Sequence, residues 1–171
     1  MTTPHAPIET ESLEHTLVAL AKEHETLIEL AKQHREALRK ADSPTIARLA
    51  DLRNQTNQRI VKLDQERARI VAEISKTIGM PGANLTIRAL IAQIGGPSAK
   101  RLSLLAEKLR QLIESARAEQ SALREATAAF AGHLGGMLAQ VVQTCNVART
   151  YNARGKMAQG VAMSTAVDFR H

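Results

Sequence analysis

Residues 37–49 read ALRKADSPTIARL, and this stretch decides the fold. A helical run of Ala, Leu, Arg and Lys stops, three small or polar residues intervene, and a proline opens a second run. Ser43 has the hydroxyl expected of an N-cap. Pro44 then takes the first helical position, where its missing N–H leaves no bond unmade. A connection this short joins two helices only as an antiparallel hairpin.

Outward from this turn, the upstream residues Leu13, Leu17, Leu20, His24, Leu27, Ala31, His34 and Leu38 alternate at spacings of four and three. That is the seam of a coiled-coil-like helix ending near Lys40. Downstream, a second helix is expected from Pro44 to about Ile78, with Ile46, Leu49, Ile60, Leu63, Ile70 and Ile74 on its seam and Arg53, Thr56 and Arg67 interrupting it. Polar seam positions weaken packing but fix register. GMPGAN, residues 79–84, cannot be helix interior. LTIRALIAQIGGP, residues 85–97, predicts a short amphipathic helix capped by Thr86, closed by Gly95 and Gly96, and placed as a lid on one end of the bundle. A third long helix runs from about Ser98 to Val147, with Leu102, Leu105, Leu109, Leu112 and Ala116 in register.

These readings predict an all-α fold: an elongated, coiled-coil-like antiparallel bundle of three long helices, with a short connecting helix and a flexible C-terminal tail. The expected division is a flexible tail over residues 1–10, a helical bundle over 11–148 and a flexible, partner-binding tail over 149–171. In that tail the periodicity collapses into small, polar and basic residues.

Composition narrows the function. The only aromatics are Phe130, Tyr151 and Phe169, so the core is aliphatic and nothing is available to stack on bases. Residues 1–80 hold 12 basic and 12 acidic side chains, whereas residues 81–171 hold 11 and 5, which puts the whole net charge of +6 in the second half. The basic residues are spread along helices without a dense cluster, which argues against a nucleic-acid partner. The single Cys145 forms no intrachain disulfide and is expected to be a small buried hydrophobe. MTTPHAPIETE, residues 1–11, has neither the basic nor the apolar region of a signal peptide, and the expected location is cytoplasmic.

Between Ala126 and Ala148 the sequence has no Asp, Glu, Lys or Arg. His133, Gly135, Gly136, Gln140, Gln143, Thr144 and Asn146 make the run too polar for a membrane span. Two readings stay open: a helix end buried on all sides by the hairpin, or an apolar surface open to a partner. Gly135 and Gly136 in mid-helix each cost about 1 kcal/mol relative to Ala. Close packing or a required bend would justify that cost.

No enzyme signature is present: no di-metal Glu-x-x-His pair, phosphate loop, dinucleotide fingerprint or nucleophile pattern around Cys145. No metal or cofactor is expected. His24 and His34 lie ten residues apart, roughly 15 Å along a helix, too far to share an ion. They are expected to be hydrogen-bonded or edge-exposed, and His5, His15, His133 and His171 show no pairing. Glu66 beside Arg67 fits an interhelical ion pair and a solvated face equally.

A helical hairpin with LDQERARI late in its second helix, a broken middle, a long third helix, and TYNARGK after its end resembles the FlgN family of flagellar export chaperones. ALRKADSPTIARL is similar to the family's first hairpin turn, and TYNARGK to its tyrosine-to-glycine turn. The resemblance implies a non-enzymatic cytoplasmic chaperone of the flagellar type III secretion system. Its partners would be the C-terminal segments of hook-associated junction proteins, which it keeps unpolymerised, and the cytoplasmic domain of the export gate. It also implies that Tyr151 docks at the gate, within the turn that includes Asn152, Arg154 and Gly155. Client recognition is expected on Phe130, Leu134, Met137, Leu138 and Val141, continued by Met157, Val161, Met163 and Val167. The rival reading pairs the heptad-like seams between chains as a homodimeric coiled-coil adaptor or scaffold with no export role, and the sequence leaves monomer and dimer open.

Overall fold

The computed structural model describes residues 10–79 and 86–149, with side chains to Cys145. Four helices occur there and no strand: α1 (Glu11–Arg39), α2 (Ser43–Thr77), α3 (Ile87–Ile94) and α4 (Gly96–Arg149). The chain divides into two compact units, Met1–Thr127 and Ala128–His171.

The turn between α1 and α2 is tighter than the sequence suggested. The Asp42 N–H donates to the Ala37 carbonyl at 3.0 Å and the Ala41 N–H to the Leu38 carbonyl at 3.1 Å. This is the paired closure of a Schellman motif, in which the residue after the C-cap takes a left-handed conformation. Ala41 does so at φ 52°. The N-cap of α2 is Asp42, not Ser43: its carboxylate accepts from the Thr45 N–H at 3.2 Å, and Ser43 and Pro44 open the helix behind it. One residue therefore ends α1 through its N–H and starts α2 through its side chain.

In the first unit the core is an aliphatic cluster drawn from all four helices: Leu13, Leu17, Leu20 and Ala21 from α1, Ile70, Val71 and Ile74 from α2, Leu90 from α3, and Leu102 and Leu109 from α4. Leu13, Leu17 and Leu90 are wholly buried. Each such side chain contributes about 1.5–3 kcal/mol of burial. The helix α3 starts where Thr86 accepts from the Ala89 N–H at 3.2 Å. It ends at Gly95, which with Gly96 takes positive φ of 62° and 67°, so that α4 begins with no intervening loop. Ile87, Ile91 and Ile94 pack against the same cluster as Leu90.

Ion pairs record how the helices lie. Glu23 on α1 meets Arg59 on α2 at 3.0 Å, across the hairpin. Glu14, Glu25 and Arg35 on α1 meet Arg101, Lys108 and Glu119 on α4 at 3.0, 2.9 and 2.6 Å. Partner numbers rise together, so this part of α4 runs in the same sense as α1. Exposed pairs of this kind add little stability but mark register. Glu66 and Arg67 do not bridge helices: Arg67 pairs with Asp64 and Glu66 with Arg69, both within α2.

The polar positions of the α1 and α2 seams have different fates. Thr56 is buried, and its hydroxyl donates to the Leu52 carbonyl at 2.9 Å while accepting from Arg59 Nη2 at 3.0 Å. His34 is only 6% exposed, and the Nδ1 atoms of His24 and His34 are buried without a hydrogen-bond partner. His34 thus lies deeper than the bonded or edge-exposed histidine expected, whereas His24 stays part-exposed with Asp64 nearby.

Candidate functional site

The second unit contains the rest of α4 as far as it is described, from Ala128 to Arg149. In a helix, residues at i, i+4, i+7, i+8 and i+11 share one face. Phe130, Leu134, Met137, Leu138 and Val141 have this spacing. Phe130 is half-buried, and the other four are exposed, Leu138 to 65%. Every residue from Ala131 to Cys145 is exposed. Of the two readings of this run, the structure therefore has the open one.

Val142, 45% exposed, widens the patch and was not among the expected residues. Its position one step from Val141 was the available signal. Val18, Val61 and Leu104 are also exposed, each on a different helix, as surface apolar residues commonly are. A contiguous uncharged patch is different, because water at such a surface is released when another apolar surface covers it.

The opposite face of the same segment holds Ala128, Gly132, Gly135 and Ala139. A Cβ added at Gly132, Gly135 or Gly136 would meet no atom within 4 Å. No intrachain packing requires these glycines, and the helix continues through them without a break. Cys145 is exposed rather than buried, since it lies in this uncovered stretch.

The remaining expected site residues, Tyr151, Asn152, Arg154, Gly155, Met157, Val161, Met163 and Val167, lie outside the described residues. Among the described residues no group of His, Cys, Asp and Glu could hold a metal ion, and no helix is long and apolar enough to cross a membrane.

The family model described as FlgN protein matches residues 1–159. No curated protein and no solved structure matches the chain. The family match takes in all four helices and the exposed face of α4, and the chain belongs to the FlgN family of flagellar export chaperones.

Proposed function

We propose that this chain is a cytoplasmic chaperone of the flagellar type III secretion system, that it binds the C-terminal helical regions of hook–filament junction proteins, and that it delivers them to the export gate. The observation that carries this reading is the uncovered, charge-free face of α4, Phe130, Leu134, Met137, Leu138 and Val141, in a chain of this family. A client's amphipathic helix buries its apolar stripe on such a face. Covering it keeps the client from polymerising, and no bond is made or broken.

In this reading the three long helices form an antiparallel bundle. Met157, Val161, Met163 and Val167 in the segment 149–171 extend the α4 face. Methionine suits a surface that must fit several clients. Ordering a segment onto a client costs free energy, which keeps the complex releasable at the gate. The stretch with Tyr151, Asn152, Arg154 and Gly155 docks at the cytoplasmic domain of the gate, with the tyrosine ring filling a pocket and its hydroxyl making one hydrogen bond.

Titration calorimetry against the purified C-terminal segment of a junction protein tests the proposal. Saturable binding by the full chain, weakened about tenfold or more by Leu134→Asp with Leu138→Asp, supports it. Binding lost in a chain ending at Ala148 assigns part of the site to residues 149–171. No binding by the full chain, together with a tight dimer in the absence of client, sinks the proposal in favour of the scaffold reading.

A further inference from the structure

The stripe of Leu134, Met137, Leu138, Val141 and Val142 is between 45% and 65% exposed, in a stretch without one charged side chain from Ala126 to Ala148. Left in water, it keeps hydrated an apolar surface that any second apolar surface would release. The first chain available to cover it is its own. The helix α4 ends at Arg149, and residues 150–171 follow it directly.

The sequence of that segment matches the stripe in three respects. Residues 157–167, MAQGVAMSTAV, carry no charge, while Arg154, Lys156, Asp168 and Arg170 stand on either side of them. Burying this stretch on the stripe therefore strands no charged group. Val161, Met163, Thr165, Val167 and Phe169 then alternate with small or polar residues, except at Asp168 and Arg170, whose charges fall on the other side. An extended chain sets alternate side chains on one side, whereas a helix would turn Val161 away from Met163 and Val167.

Length agrees as well. At about 3.3 Å per residue, Val161 to Val167 spans roughly 20 Å of extended chain. Phe130 to Val142 spans roughly 18 Å of helix. Arg149 stands roughly 28 Å along the axis from Phe130, a distance that about nine extended residues cover. Asn152 and Gly155, residue types that reverse a chain, lie between Arg149 and the uncharged stretch. A tethered segment also acts at an effective concentration on the order of millimolar, so it outcompetes a second copy of the chain at ordinary concentrations.

We propose that, in the chain without a partner, residues 157–169 fold back antiparallel along α4 as an extended strap, with Val161, Met163 and Val167 seated on the stripe from Phe130 to Val142. A client has to displace the strap, and this consequence alone rests on the reading above. The same residues then become free to contact the client.

The test is thiol exchange in a glutathione buffer, on the full chain with Cys145→Ser and no client present. Met163→Cys is paired either with Met137→Cys, on the stripe, or with Ala139→Cys, on the opposite face of the same exposed helix. A strap on the stripe gives the Met137→Cys pair an effective concentration about tenfold or more above that of the Ala139→Cys pair. Val161→Asp with Val167→Asp should bring the two pairs to within about twofold while the helical spectrum stays unchanged. Equal values for the two pairs in the parent chain, or a preference that survives the Asp variant, would overturn the proposal. Disulfides formed between chains rather than within one would also overturn it and give the stripe to a second copy. Because no client enters the measurement, its failure is distinct from a failure of the chaperone reading.

Discussion

Ala41 holds a backbone conformation in which its Cβ crowds the following carbonyl oxygen. Glycine has no such clash, so Ala41→Gly is expected to stabilise the chain by about 0.5–1 kcal/mol, the relieved strain exceeding the added freedom of the unfolded state. Urea denaturation measures it, and a lower midpoint would contradict the turn geometry. His24 and His34 make a second prediction. Burial holds both rings below the ordinary value of 6.5; Asp64 partly opposes this at His24, and Arg53 adds to it at His34. A histidine harder to protonate when folded contributes stability that is complete above pH about 6.5 and lost as pH falls through the lowered folded value. The denaturation midpoint should therefore drop between pH 7.5 and 5.5, and His34→Leu should flatten that drop. A midpoint rising on acidification would contradict the burial of these rings.

The second half of α4 is a helix with little tertiary support, and its glycines make it weaker still. Gly135→Ala and Gly136→Ala have room for a methyl group and should each stabilise the segment by about 1 kcal/mol. Amide hydrogen exchange over Ala131–Cys145 should slow in both variants. If client binding nevertheless weakens, the small-residue face is used for close approach by the client; if it is unchanged, the apolar face alone suffices. In α2, by contrast, the polar Thr56 is kept inside because both its donor and its acceptor capacity are used. Thr56→Val removes those bonds at constant shape and is expected to cost about 1 kcal/mol, read from the same denaturation curves.

At the scale of the whole protein, the proposed roles of the α4 face and of Tyr151 should be separable. Tyr151→Ala is expected to leave client affinity near normal and weaken capture by the gate's cytoplasmic domain about tenfold or more, measured by calorimetry against each partner in turn. Equal loss of both, or of neither, would contradict the assignment. How much of this was legible in the sequence follows from the kind of information each feature carries. The four helices, the hairpin turn, the seam from Leu13 to Leu38 and the break at Gly95 and Gly96 were all readable, because helical periodicity, proline and glycine act on the local backbone. The cap was placed one residue late, since Asp42 and Ser43 are both good N-caps and only the left-handed Ala41 decides between them. The apolar stripe on α4 was equally readable, but whether anything covers it was not. Periodicity states which side of a helix avoids water and says nothing of what lies opposite. Sequence by itself thus determined the helices, their faces and the family. Tertiary structure alone decided that Leu134 to Val142 stay open to solvent and that Cys145 is exposed, because each depends on which neighbours are absent in space.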